Sequence, residues 1–216
     1  TSSVGSFVEI DFADPANPVI EKLDFDFASC GYALCIVDTG GSHSDLTDEY
    51  AAVRKEMESV AEYLGKSVLR EVDEDEFMKN IADIRSSCGD RAVLRAMHFY
   101  GDNARVEKQA AALKAGDFET FKKYIIESGR SSYMYNQNVY SCKKASEQPV
   151  SLALSLSEKL LDGCGAWRVH GGGFAGTIQA FVPLNKLDEY KDLMEKVFGS
   201  GSCYILSVRP VGGVEL

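Results

Sequence analysis

The sequence has 216 residues, enough for one large domain, or one and a half smaller ones, with a substantial buried core. Its 33 acidic and 23 basic residues give a formal net charge of −10, which argues against sequence-independent nucleic-acid binding and against an anionic membrane surface as partners. There is no apolar run of about twenty residues that would span a bilayer, and no signal-peptide pattern is visible.

The six cysteines are scattered along the chain, without a Cys-x-x-Cys pair and without a histidine at metal-ligand spacing. We therefore expect reduced thiols in a cytoplasmic protein and no metal site built from cysteine. The chain opens at Thr1 without an initiator methionine and enters a strand almost at once. This start predicts a piece of a longer protein.

The first forty residues have β patterns. Segments 7–12 and 19–27 alternate between apolar and polar residues, and prolines mark the turn between them. Segment 32–37 is almost entirely apolar, which predicts a strand buried on both faces. A break at 38–44 follows, and we expect a transition between domains there.

Segment 46–64 has the clearest helical pattern of the chain. Ser44 or Asp45 is expected to cap its start, and Gly65 to end it. The apolar residues at helical spacing are Leu46, Tyr50, Val53, Met57, Val60 and Leu64.

Further helices are predicted at 73–85, 90–113, 118 to about 128, 152–160 and 187–198. Gly101 and Asp102 are expected to bend the second of these, and Gly116 and Asp117 to end it and cap the next. Residues 130–148, rich in Ser, Tyr and Asn, predict a loop or a frayed helix. The residues expected to face inward on the last two helices are Leu152, Leu156, Leu160, Tyr190, Leu193, Met194 and Val197.

The second half also contains three strand patterns, near 166–169, 177–182 and 202–208. A helix between the last two predicts a βαβ-like crossover. The sequence therefore predicts an α+β fold with a ferredoxin-like layer plus helices.

The most unusual stretch is 163–176, in which six of fourteen residues are glycine. Glycine at this density occurs where the backbone takes a positive φ or approaches another group closely. The flanking patterns predict strand, glycine-rich loop, strand. Two interpretations remain open at this point: converging N–H groups that hold an anion, or a tight turn where two backbones cross.

Residues 165–176 resemble the third signature motif of the GHMP kinases, which in galactokinases commonly reads Gly-Ala-Arg-Met-Thr-Gly-Gly-Gly-Phe-Gly-Gly. Segments 38–54, 103–106 and 113–121 resemble successive galactokinase segments in the same order. Segment 2–11 resembles the residues just after that family's Met-Asp-Gln stretch. The resemblance covers nearly the whole chain and is specific to galactokinase-like members.

This resemblance implies the GHMP-kinase carboxy-terminal domain at 41–216, preceded at 1–40 by strands left over from the amino-terminal domain. It implies ATP-dependent phosphoryl transfer to the anomeric hydroxyl of galactose, with Mg²⁺. The family's catalytic aspartate, phosphate loop and sugar-binding Gly-Glu-His-x-Asp motif have no counterpart here. We therefore expect no catalytic residue in this chain, no turnover by it alone, and association driven by unpaired strand edges before Asp38.

The site residues follow from the same resemblance. Tyr50 matches a tyrosine whose hydroxyl contacts the sugar, although its spacing alone predicts a core residue. The residues expected to line the cleft beside the missing phosphate loop are Gly171, Gly172, Gly173, Phe174 and Gly176. His170 and Ala175 depart from the usual threonine and glycine, and a role for His170 near phosphate or substrate is the weakest of these expectations.

His43 and His98 are interpreted as structural, and Cys164 has no partner base for nucleophilic catalysis. Three alternatives stay open: a galactokinase-like sensor that binds sugar and ATP without turnover, a kinase for a related sugar such as N-acetylgalactosamine, and an unrelated ferredoxin-like domain.

Overall fold

The fold is that of a computed structural model, which describes residues 7–41, 46–174 and 176–207. It begins with an antiparallel hairpin of β1 (Phe7–Asp11) and β2 (Val19–Leu23). β2 is shorter than predicted. The chain leaves it for a 3₁₀ turn at Phe27–Ser29, which Asp26 caps by accepting a hydrogen bond from the Ala28 N–H.

A second sheet contains β3 (Tyr32–Asp38), β4 (Ala166–Val169), β5 (Thr177–Pro183) and β6 (Cys203–Leu206). The strand order is β4-β5-β3-β6, and all neighbours are antiparallel. β5 and β6 therefore run parallel on either side of β3, joined by helix α7 (Leu187–Phe198). This arrangement confirms the predicted α+β fold with a ferredoxin-like layer.

The position of β3 corrects two expectations. Both of its edges are paired, with β5 and with β6, so this strand offers no unpaired edge for association. It is also not buried on both faces: Ala33, Cys35 and Val37 are buried, whereas the residues between them are half-buried. The boundary near residue 40 stays a prediction, although β3 shares a sheet with strands from the far end of the chain.

Most of the mass between β3 and β4 is helical. The helices are α1 (Thr47–Tyr63), α2 (Glu74–Lys79), α3 (Ile81–Cys88), α4 (Asp90–Lys114), α5 (Phe118–Ser131) and α6 (Pro149–Leu161). Leu46 occupies the cap position of α1 without a side-chain hydrogen bond, and Ser44 and Asp45 lie outside the described residues. α4 continues as one helix through Gly101 and Asp102. Asp117 caps α5 as predicted, accepting from the Thr120 N–H at 3.0 Å.

Two predicted inward-facing stripes differ in part from the structure. On α6 the buried residues are Val150, Ala153, Leu154, Ser157 and Leu161. Leu152 is exposed, and Leu156 and Leu160 are half-buried at the edge of the core, so the inward face is displaced by one residue from the predicted leucine stripe. On α7, Tyr190 and Met194 are buried as predicted, but Val197 is exposed. Segment 130–148, predicted as a loop or a frayed helix, begins with the end of α5 and a π-helix, Ser132–Asn136, which agrees with the second alternative at its start.

The core forms around both faces of the four-stranded sheet. One face packs against α6 and α7, and part of the other packs against α4, α5 and the β1–β2 hairpin through an aromatic cluster that includes Phe118, Phe121 and Phe181. A separate cluster fills the space among α1, α3 and α4. The glycine-rich loop therefore lies where β4 turns into β5, next to the start of α1.

Candidate functional site

The loop between β4 and β5 has an unusual backbone. The φ angles of Gly171, Gly173, Phe174 and Gly176 are 65°, 81°, 58° and 91°, all in the region that favours glycine. Phe174 is the exception to that preference, and its side chain is only 4% exposed. The loop is thus fixed in a specific conformation. Ala175 lies outside the described residues.

Asn138 crosses the loop at close range. A Cβ atom on Gly173 would lie 1.9 Å from the Asn138 carbonyl oxygen, so no side chain fits there. The same oxygen accepts the Phe174 N–H at 2.5 Å, and the Asn138 side-chain amide donates to the Gly172 carbonyl at 3.1 Å. The closest approach in the loop is therefore a crossing of two backbones within this chain, and the Phe174 N–H is already engaged.

Tyr50, on the first turn of α1, holds the loop from the other side. Its hydroxyl donates to the Gly173 carbonyl at 2.8 Å, and its ring meets Phe174 edge-on with centroids 5.4 Å apart. A Cβ on Gly172 would lie 2.8 Å from the Tyr50 ring. Burial raises the pKa of Tyr50, which keeps the hydroxyl protonated as a donor. Tyr50 therefore lies on the apolar stripe of α1, as its spacing predicts, and it also contacts the loop, which was not predicted; its contact with a sugar stays a prediction.

The loop is also tied to the sheet and to the segment after α5. The backbone N–H and hydroxyl of Thr39 both donate to the Gly176 carbonyl, at 2.9 and 2.7 Å. Buried Glu49, beside Tyr50, accepts from the Ser141 hydroxyl at 2.7 Å. Loop, α1 and the post-α5 segment therefore form one braced unit.

A cavity of about 900 Å³ adjoins this unit, between β1, α1, the 3₁₀ turn Leu69–Glu71 and α4. Tyr50 is among its lining residues, and the apolar part of the lining includes Val53, Met57, Phe99 and Val106. Two exposed ion pairs, Arg54–Glu58 and Arg70–Asp11, both at 2.6 Å, also belong to the lining. Tyr50 thus joins the glycine-rich loop to this cavity.

The other candidates make ordinary contacts. His170 is exposed, and its Nδ1 lies 3.0 Å from the Gln179 side-chain oxygen, to which it donates. The Cys164 thiol donates to the Leu161 carbonyl at 3.4 Å. His98 is buried with Nδ1 2.9 Å from the Ser131 hydroxyl, and His43 lies outside the described residues. The functional role of His170 stays a prediction.

The sequence analysis did not identify Asn138 or the ion pair between Arg95 and Glu56. Arg95, 1% exposed, donates to Glu56 at 2.9 Å and to the Asn136 carbonyl at 3.1 Å, and so fixes the end of the π-helix. Arg91 shares the same Glu56 carboxylate. Glu56, Arg91 and Arg95 lie on helices, and Asn138 lies in the segment predicted as a loop or a frayed helix. No spacing motif in the sequence distinguishes them from their neighbours.

The described ranges also bear on metals and membranes. Among these residues there is no group of three or more His, Cys, Asp or Glu side chains that could hold a metal ion. In the same part of the chain, no helix combines the length and apolar character needed to cross a membrane.

Comparison with known proteins identifies the relatives of this chain. No protein-family model matches the sequence. Human galactokinase is 31% identical over 184 residues, covering 85% of this chain and 44% of that protein. The galactokinase of Thermosipho africanus is 29% identical over 182 residues, covering 82% and 47%. The chain is a galactokinase homologue.

The structural comparison agrees with this homology. The crystal structure of Lactococcus lactis galactokinase complexed with galactose superimposes with a TM-score of 0.70, covering 98% of this chain and 53% of that one at 19% identity. The resemblance of the chain to galactokinases and the GHMP-kinase fold are thereby confirmed. The chain spans less than half the length of the curated galactokinases that it matches.

Proposed function

We propose that this chain is the carboxy-terminal part of a sugar kinase that transfers a phosphoryl group from ATP to the anomeric hydroxyl of galactose. The observation that carries the proposal is the hydrogen bond from Tyr50 to Gly173, which joins a cavity to the glycine-rich loop in a homologue of galactokinases. Both residues belong to the segments whose sequence resembles that family.

In this proposal Tyr50 contacts the sugar. A phenolic oxygen that donates its proton to one partner can accept a hydrogen bond from another, so the oxygen of Tyr50 can receive a sugar hydroxyl while it holds the loop. The ring, packed on Phe174, keeps that oxygen in place at no further cost in side-chain entropy on binding.

In this proposal one wall of the cleft is formed by the loop residues Gly171, Gly172, Gly173, Phe174 and Gly176. Their conformation is set by Asn138 and Tyr50 before any substrate arrives, which suits a reaction that depends on positioning and preorganised polar groups. The groups that bind ATP and Mg²⁺ and the catalytic aspartate belong to the length of the relatives that this chain does not span. We therefore expect no turnover by residues 1–216 alone, and we assign the protein to the cytoplasm.

The test is an ADP-release assay on the full-length protein, with galactose and N-acetylgalactosamine in separate arms. Galactose-dependent ADP release supports the proposal, whereas release only with N-acetylgalactosamine would reassign the sugar. Galactose binding without ADP release would make the protein a sensor. Galactose-dependent ADP release by purified residues 1–216 would contradict the expectation that this part of the protein has no turnover alone.

A further inference from the structure

Two cysteines lie next to each other on adjacent strands of the four-stranded sheet. In the pairing of β3 with β6, Cys203 stands opposite Val37, and Cys35 stands opposite Ile205. Because side chains alternate between the two faces of a strand, Cys35 and Cys203 project from the same face as diagonal neighbours. Both are free thiols, 0% and 5% exposed, in the core that the sheet forms with α6 and α7.

The side chains of this pair are in contact. The Cys35 thiol donates a hydrogen bond to the Cys203 sulfur, and this bond lowers the pKa of Cys203. The same bond, together with burial, raises the pKa of Cys35. Diagonal neighbours are commonly about 7–8 Å apart, so a pair whose thiols touch is one of the closer ones, and a small shift brings it within reach of a disulfide bond. Cys203 is therefore the nucleophile of the pair, and Cys35 can resolve its oxidised form.

Cys203 lies on the strand of the sheet that can open most easily. β6 has four residues, and β3 is its only neighbour in the described sheet. Its last three residues, Tyr204, Ile205 and Leu206, are each 44% exposed or more. Elements with few buried contacts open locally at a lower free energy than the whole fold requires. Such an opening of β6 brings Cys203 to solvent, while Cys35 stays on a strand that is paired along both edges.

We propose that Cys35 and Cys203 form an oxidative modification site, at which a hydroperoxide converts the two thiols into a disulfide. The Cys203 thiolate attacks one oxygen of the peroxide, the O–O bond breaks, and the other oxygen takes up a proton and leaves as water or an alcohol. Cys203 is then a sulfenic acid. The Cys35 sulfur attacks it, the S–O bond breaks, and the proton of Cys35 leaves with the hydroxide as water. The two thiols lose two electrons, and the peroxide gains them.

The disulfide would fasten the edge strand to the sheet. It would close a loop of about 170 residues, and cross-links that close long loops restrict the unfolded chain most. The end of β3 also supports the glycine-rich loop, since the Asp38 N–H donates to the Ser202 carbonyl at 2.8 Å and Thr39 holds Gly176. Oxidation would therefore restrain the strand end from which Thr39 holds the loop. This site is independent of the substrate proposed for the protein.

The test is mass spectrometry of the full-length protein after treatment with hydrogen peroxide in the folded state. The remaining thiols are blocked with N-ethylmaleimide in denaturant, and the protein is digested without a reductant. Cys203→Ala removes the attacking thiol, and Cys35→Ala removes the thiol that closes the bond. Cys142→Ala is the matched control, since Cys142 is an exposed cysteine outside the sheet.

We expect a linked peptide pair that contains Cys35 and Cys203, the loss of both as free thiols, and their recovery with dithiothreitol. The linked pair should persist in Cys142→Ala and disappear in the other two variants. The oxidised protein should also unfold at a higher temperature than the reduced one, and an equal temperature would contradict the fastening of β6.

The proposal fails if Cys35 and Cys203 stay free under peroxide, or if either is linked only to another cysteine. Because the linked peptide is sought in the parent protein, the test stays decisive even where an alanine variant does not fold.

Discussion

The carbonyl oxygen of Asn138 lies where a Cβ atom of residue 173 would be, at 1.9 Å, so residue 173 must be glycine. The centre of the loop therefore has no room for a side chain. It also shows that the segment after α5 shapes the loop as much as the two strands that flank it.

Gly173→Ala should therefore destabilise the fold far more than Gly171→Ala. Both positions have positive φ, which costs an alanine about 1 kcal/mol, but a Cβ at Gly171 meets nothing within 4 Å. The clash at Gly173 adds about 2 kcal/mol or more, typical of overpacking. Chemical denaturation of both variants measures the difference. Equal losses would mean that Asn138 moves aside freely.

Tyr50→Phe removes the hydroxyl that donates to the Gly173 carbonyl. We expect a loss of about 1 kcal/mol in the free energy of unfolding, the usual value for one such hydrogen bond. Tyr63→Phe, at an exposed position of the same helix, is the control and should change stability by less than about 0.5 kcal/mol. In the full-length protein, Tyr50→Phe should also raise the KM for the sugar. Unchanged stability would show that the loop does not need this contact.

Arg95→Met leaves Glu56 and the Asn136 carbonyl without their buried donor. Removing one member of a buried ion pair typically costs about 3–5 kcal/mol of stability. Burial also lowers the pKa of Arg95, because desolvation disfavours its charged form in the folded protein. Arg91→Met, which removes an exposed partner of the same carboxylate, should cost about 1 kcal/mol or less. Similar losses in the two variants would argue against a special role for Arg95.

His98 should make stability depend on pH. Burial lowers the pKa of this imidazole, and Arg105 and Arg168 lower it further against the attraction of Asp102. Because the unfolded histidine titrates near about 6.5, unfolding takes up a proton below that pH, and the free energy of unfolding falls as the pH is lowered through this value. His98→Gln should flatten this slope, whereas Met97→Gln, at the exposed neighbouring position, should not. If the pH dependence of stability is unchanged in His98→Gln, groups other than His98 cause it.

The sequence predicted the features that depend on local pattern. The stripe from Leu46 to Leu64, the cap at Asp117 and the strand–loop–strand at 166–182 are all present, because spacing and glycine density determine them. The sequence did not predict which strands pair when the partners are far apart in the chain. β3 lies between β5 and β6, strands more than 130 residues away, and nothing near Tyr32 indicates those partners.

The candidate site was predictable to a similar extent. Tyr50 and the glycines could be found from helical spacing and from the resemblance to galactokinases. Asn136 and Asn138 could not, since their importance comes from a π-helix that no spacing rule marks and from a crossing with residue 173. On α6, the predicted leucine stripe is displaced by one residue from the buried face, which includes Leu154 and Leu161 together with the smaller Ala153 and Ser157.

In the proposed function, this chain supplies the glycine-rich loop and Tyr50 of a galactose kinase. The most direct measurement is ³¹P NMR of the full-length protein incubated with ATP, Mg²⁺ and galactose. We expect a new sugar-phosphate signal in which the phosphorus is coupled to the anomeric proton. This signal should grow as ADP accumulates, and it should be weaker in Tyr50→Phe. ATP left intact with galactose bound, or ADP formed without a sugar phosphate, would contradict it.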